Sequence, residues 1–183
     1  MDLERKYCQL GGTVEVTDGT TISGYASLFG KCDQGGDVVE AGAYLGSLER
    51  LKTKGGSVKM LWQHDPSQPI GVWDEVHEDA KGLWVKGRIL TDVAKGREAV
   101  ALIGAGAIDG LSIGYRTVRA TKGDKGGRRL SELELWEVSL VTFPMLPDAR
   151  VGAKGDDPAA AAMRELAAVF EEARSLLGGS NPD

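Results

Sequence analysis

Thr21-Ile22-Ser23-Gly24-Tyr25-Ala26-Ser27-Leu28-Phe29 is the stretch on which the fold class turns. Successive side chains of a strand point to opposite faces, so Ile22, Gly24, Ala26 and Leu28 share one face and Ser23, Tyr25, Ser27 and Phe29 the other. Neither face is fully polar, which predicts a central strand covered on both sides. Six further segments read as strands, at 13–16, 58–64, 70–76, 83–90, 111–121 and 129–141. The 26 glycines in 183 residues are about double the usual ~7% and fall between these segments, where turns are needed. The period changes twice. Tyr44, Leu45, Leu48 and Leu51 take helical spacing within 43–52, and Ala99, Val100 and Ile103 do so within 93–103. Seven strands with two interposed helices predict an α+β, β-rich fold, a closed or strongly curved barrel of about seven strands with flanking helices.

This barrel domain is expected over 1–150. Val151-Gly152-Ala153-Lys154-Gly155-Asp156 begins a polar linker at 151–157, after which an amphipathic helix is expected over 158–178 and a flexible tail over 179–183. Asp157 suits the N-cap, Pro158 the first helical position and Gly178 the residue just past the end. Met163, Leu166, Phe170, Ala173 and Leu177 form an apolar stripe that one helix cannot bury alone. The stripe packs on the barrel or pairs with another chain, and the sequence leaves both open.

Composition excludes several classes. With 42% hydrophobic residues the chain can bury a core of ordinary size. A net charge of -5 argues against a nucleic-acid surface, which needs clustered cations to neutralise phosphates. Cys8 and Cys32 make no disulfide framework, no apolar run approaches the ~18 residues of a membrane span, and Met1-Asp2-Leu3-Glu4-Arg5-Lys6 lacks the apolar core of a signal peptide. A soluble protein of a reducing cytoplasm is expected.

Three short stretches carry chemistry. In Leu61-Trp62-Gln63-His64-Asp65-Pro66, His64 is expected to close a strand on whose face it follows Val58, Met60 and Trp62, with Asp65-Pro66 forcing the turn. That places an imidazole at a sheet rim, where side chains are presented to substrate; a structural histidine bonded to Asp65 fits the same segment. The other histidine, His77, lies among polar residues that read as a solvated hairpin turn. In Gly110-Leu111-Ser112-Ile113-Gly114-Tyr115, Ser112 starts a strand between two glycines, and Gly114 on its face leaves room for an acyl group. In Leu135-Trp136-Glu137-Val138-Ser139-Leu140-Val141, Glu137 interrupts a strand apolar on both faces. A buried carboxylate needs a partner, either a histidine that becomes cationic or an arginine such as Arg116 or Arg119. Glu134 is the competing acid. Serine hydrolysis requires this set of groups, a hydroxyl, an imidazole that takes its proton, and an acid that orients the imidazole.

Metal and nucleotide chemistry find no support. No His-x-x-x-His, Cys-x-x-Cys or Glu-x-x-His pair occurs, and the stretch from Gly104 to Gly110 lacks the Lys-Ser/Thr that completes a phosphate loop. No cofactor is expected.

Taken in order, Gly24-Tyr25-Ala26-Ser27-Leu28-Phe29, Leu61-Trp62-Gln63-His64-Asp65, Gly110-Leu111-Ser112-Ile113-Gly114-Tyr115 and Glu137-Val138-Ser139-Leu140-Val141-Thr142-Phe143-Pro144 resemble the prohead maturation proteases of tailed bacteriophages, from about Gly24 to Ala149. The resemblance implies an assemblin-like barrel and a serine endopeptidase, with Ser112 as nucleophile, His64 as general base and acid, and Glu137 where herpesvirus assemblins use a second histidine. It implies as partners the phage major capsid protein precursor with its scaffold segment, and the protease itself through autoprocessing and possible homo-oligomers, without nucleic acid or membrane. The implied place is the host cytoplasm, packaged inside the procapsid. A non-enzymatic capsid-assembly or scaffold module, and a small-molecule esterase using the same triad, are the alternatives.

Overall fold

The computed structural model describes residues 4–6, 12–17, 19–33, 35–123, 126–142 and 149–153. Along the chain run β1 (Glu4–Lys6), β2 (Gly12–Thr17), β3 (Thr21–Leu28), β4 (Val38–Val39), α1 (Leu45–Thr53), β5 (Lys59–Trp62), β6 (Asp65–Glu78), β7 (Gly82–Ile89), α2 (Ala94–Gly104), β8 (Gly110–Lys122), β9 (Arg128–Val141) and β10 (Ala149–Ala153). The seven expected strands are β2, β3 and β5 to β9, and both expected helices form. They make one sheet in the order β2, β3, β7, β6, β5, β9, β8. Every pairing in this run is antiparallel except β5 with β9. The sheet curls back on itself: β10 pairs with β2 in parallel and meets β8 at Arg150 and Gly110. Backbone pairing thus continues to Ala153, within the stretch read as linker. The chain divides after that residue, and the expected helix over 158–178 and the tail lie outside the described residues.

Alternation fills the core. Ile22, Leu83, Val85, Ile70, Met60, Leu111, Ile113, Leu133, Val138 and Leu140 are buried and belong to one cluster, which Ala99 and Ile103 of α2 join. Met60 shows how closely the strands approach. A Cβ on Gly71 would meet the Met60 sulfur and the Arg88 carbonyl, and one on Gly87 would meet the Val72 carbonyl, the Trp73 ring and the Met60 methyl, so both glycines are set by the close strand approach as well as by this side chain.

Helix α1 keeps Tyr44, Leu48 and Leu51 of its predicted face against the core but not Leu45. Leu45 is exposed, and the innermost position goes to Ser47, whose hydroxyl accepts the Leu135 N–H at 2.9 Å. The helix has no acidic residue in its first turn and Tyr44 supplies no side-chain cap. Glu78 of β6 does so instead, its carboxylate accepting the Gly42 N–H at 3.0 Å and the Tyr44 N–H at 2.5 Å. Burial pushes the Glu78 carboxyl above its ordinary range. These contacts set α1 against β9, on which the site is built.

Two expected turns are corrected. The strand expected to end at His64 ends at Trp62, and Asp65-Pro66 opens β6; the turn is Gln63-His64 itself. His77 is exposed but lies within β6, opposite Trp84, because the turn begins two residues later, where the Asp79 carboxylate accepts the Lys81 and Gly82 N–H groups at 2.6 and 3.0 Å.

Candidate active site

β9 runs between β8 and β5, and this arrangement assembles the site. Leu111 pairs with Leu140 and Ile113 with Val138 on the core side. The alternate residues therefore share the other side, where Ser112 faces Ser139 and Gly114 faces Glu137 across the ladder. On the opposite flank β5 carries Leu61 beside Ser139. The chain then turns at Gln63 and His64, with Trp62 paired to Asp65. Both turn residues have left-handed φ, 51° and 61°, as the two-residue hairpin compatible with strand twist requires. Neither is glycine or asparagine, so the conformation costs roughly 1–2 kcal/mol per residue. Bonds to β9 and the residue after it offset that cost: the Gln63 N–H donates to the Leu140 carbonyl at 2.9 Å, the His64 N–H to the Ser139 hydroxyl at 3.1 Å, and the Gln63 side-chain amide to the Thr142 hydroxyl at 2.7 Å.

The turn lays the His64 ring between the two strands. Nε2 is 2.6 Å from the Ser112 Oγ and Nδ1 is 2.5 Å from the Glu137 Oε1. A carboxylate only accepts, so Nδ1 carries the proton and Nε2 is left to accept the Ser112 hydroxyl proton. The second oxygen of Glu137 accepts the hydroxyl of Ser139. Relative exposure is 0% for Ser112, 6% for His64, 3% for Glu137 and 0% for Ser139. In such seclusion a Coulombic or hydrogen-bonding interaction is worth far more than in water, and the direction of each bond in the chain Ser112 to His64 to Glu137 is fixed.

All three predicted residues are thus brought together. The rivals are not. Glu134 pairs with Arg116 at 2.5 Å and Arg119 with Glu132 at 3.6 Å, so the two arginines weighed as partners of Glu137 serve other acids. Asp65, weighed as a partner of His64, accepts the Ser67 N–H and hydroxyl at 2.8 and 2.6 Å, and these bonds hold its carboxyl below the usual range. Gly114 has a different use from the expected one: the space it leaves is taken by the Glu137 side chain. Ser139 was missed as a member of the site. Its signal was present, since a small polar residue two positions from Glu137 shares its face of the strand.

A cavity of about 690 Å³ adjoins the His64 and Glu137 end of this network. Leu51, Leu61 and Trp136 line it together with the cations Arg50, Lys54 and Lys59, while Ser112 is not among its walls. Among the described residues no cluster of His, Cys, Asp and Glu is arranged to hold a metal ion, and no helix is long and apolar enough to cross a membrane.

The family described as Caudovirus prohead serine protease matches residues 12–164. The prohead protease of Enterobacteria phage HK97 is 32% identical over 138 residues, which are 72% of this chain and 59% of that protein, so the chain spans about three fifths of this relative's length. The solved structure of the bacteriophage T4 capsid assembly protease superposes with a TM-score of 0.59 at 16% identity, over 78% of this chain and 96% of that one, a likeness of fold.

Proposed function

The chain belongs to the caudovirus prohead serine proteases, and from that membership we propose that it is a serine endopeptidase that cleaves the scaffold segment from a phage capsid precursor, and itself, during procapsid maturation. The observation that carries the proposal is the His64 ring held at 2.6 Å from a hydroxyl on one side and 2.5 Å from a carboxylate on the other. The names of the similar proteins, a prohead protease and a capsid assembly protease, supply the substrate class.

In this reading Ser112 attacks the scissile carbonyl while Nε2 of His64 takes the hydroxyl proton. The same nitrogen then gives the proton to the leaving amine, and water repeats the sequence to release the acyl group. Glu137 holds Nδ1–H in its tautomer and stabilises the imidazolium that forms. The cavity lined by His64 and Glu137 is the recess offered to substrate residues beside the scissile bond. No cofactor enters any step.

The test is coexpression of this chain, or of its Ser112→Ala variant, with the capsid precursor, followed by mass measurement of the intact capsid protein and its fragments. Trimming that depends on Ser112 is expected. Identical intact masses in the two samples would point to an assembly module, and hydrolysis of small acyl esters without capsid cleavage would point to an esterase.

A further inference from the structure

We propose that Ser139 is a positioning residue for the proteolytic machinery, one hydroxyl that sets the base and the acid against each other. The inference rests on the roles given to Ser112, His64 and Glu137. Ser139 is wholly buried on β9, directly across the ladder from Ser112. Its oxygen accepts the main-chain N–H of His64 at 3.1 Å, and its proton goes to the Glu137 Oε2. The residue therefore touches the backbone of one triad member and the carboxylate of another, while the Glu137 Oε1 is the atom that meets the His64 ring at 2.5 Å.

Each of these bonds controls a freedom that the site cannot tolerate. The terminal torsion of a glutamate is broad and roughly two-fold, so nothing intrinsic to Glu137 aims one oxygen at Nδ1. Donation from Ser139 to the other oxygen does so. The left-handed backbone at His64, φ 61°, is unfavourable for a residue bearing a Cβ, and its N–H is buried. Acceptance by Ser139 satisfies that N–H and pins the turn that carries the ring. The proton inventory also distinguishes the two facing serines: Ser112 offers its proton to Nε2, whereas Ser139 commits its proton to an acid and a lone pair to an amide. Ser139 is consequently excluded as a second nucleophile.

Kinetics of the full-length chain on a peptide spanning the capsid cleavage site test the role. Loss of a hydrogen bond to a charged group predicts a kcat lower by about 10- to 100-fold in Ser139→Ala, with KM within about two-fold. Ser139→Thr, which keeps the hydroxyl, restores most of the rate. In the Glu137→Gln background Ser139→Ala costs less than it does alone, because the part of its effect that travels through that carboxylate is already lost, while the part that pins the His64 turn remains. The proton resonance of the His64 Nδ1–H, expected downfield because of its bond to Glu137, should move in Ser139→Ala and return in Ser139→Thr. A wild-type kcat in Ser139→Ala, or losses that simply add in the double variant, would overturn the proposal. Should Ser139→Ala not fold, the near-isosteric Ser139→Cys, a poor donor, must show the same fall in kcat. Proteolysis that survives Ser112→Ala would instead overturn the protease reading, independently of Ser139.

Discussion

Gly114 and Glu137 face each other across the β8–β9 ladder, and a Cβ on the glycine would lie 2.0 Å from the Glu137 Oε1. The missing side chain is the space in which the acid sits. That oxygen is also the one bonded to His64, so the glycine and the imidazole hold the carboxylate from two sides. A small residue beside a nucleophile invites the thought that substrate fills the gap. Here another protein group fills it, and the requirement for glycine comes from the acid.

Gly114→Ala should therefore act on chemistry first. The added methyl cannot be absorbed by β8, whose backbone is paired on β9, so the carboxylate must move away from Nδ1. We expect kcat/KM to fall by about 100-fold or more and stability by about 1–3 kcal/mol, read by kinetics and thermal melting. Shortening the acid in the same chain, Gly114→Ala with Glu137→Asp, should recover part of the rate. Activity within a few-fold of wild type in Gly114→Ala alone would mean that Glu137 is not held where it has to act.

Glu137→Gln isolates the charge from the space. The amide keeps the shape but cannot stabilise an imidazolium, and a fall in kcat of about 10³- to 10⁴-fold is expected from the behaviour of other triads. Glu134→Gln should change kcat by less than a few-fold, because Glu134 is engaged with Arg116 at the surface. Single-turnover assays on the two variants separate the acids, and the reverse ranking would transfer the role to Glu134.

What was legible in advance follows from parity. Glycine-bounded segments that alternate or are rich in apolar residues placed the seven strands; parity puts Ser112 opposite in phase to Leu111 and Ile113, and the same counting applied to Glu137 and Ser139 gives their shared face. His64 was legible as a residue but not as a geometry. Counting along β5 assumed that alternation continues to residue 64, whereas the strand stops at Trp62 and a left-handed turn aims the ring. Gln63-His64 lacks the Asn-Gly signature of such turns, and what holds it is tertiary: the Leu140 carbonyl, the Ser139 hydroxyl and Thr142. On α1 only Leu45 leaves the predicted face, where the backbone N–H of Leu135 on β9 is met by Ser47 at the innermost position.

Ser47 supplies a test of that packing. Ser47→Ala strands the buried N–H of Leu135, at a cost of about 1–3 kcal/mol. Hydrogen exchange at the Leu135 amide should accelerate and the melting temperature fall. Because α1 lines the cavity beside His64 but supplies no triad member, KM should rise more than kcat falls. An unchanged Leu135 exchange rate would show that the helix is not anchored through this bond.

The hairpin that carries β6 into β7 is clamped by the Tyr25 hydroxyl, which donates to the Asp79 carboxylate. That bond, with smaller contributions from burial and the nearby charge, pushes the Tyr25 phenol up to about 12. Unfolded, it would titrate near ~10. A folded-state value above the unfolded one means that the stabilisation is complete below about 10 and fades as pH rises towards 12. The melting temperature of wild type should thus exceed that of Tyr25→Phe at neutral pH, and going up from neutral pH the gap should narrow through this alkaline window. Asp79→Asn should flatten the same dependence, since the phenolate then meets no carboxylate. A gap that stays constant from neutral pH to the alkaline end would show that the Tyr25 hydroxyl does not stabilise the fold through Asp79; the edge-on contact with the Trp84 ring, 5.0 Å between centroids, is kept in Tyr25→Phe and does not enter the gap.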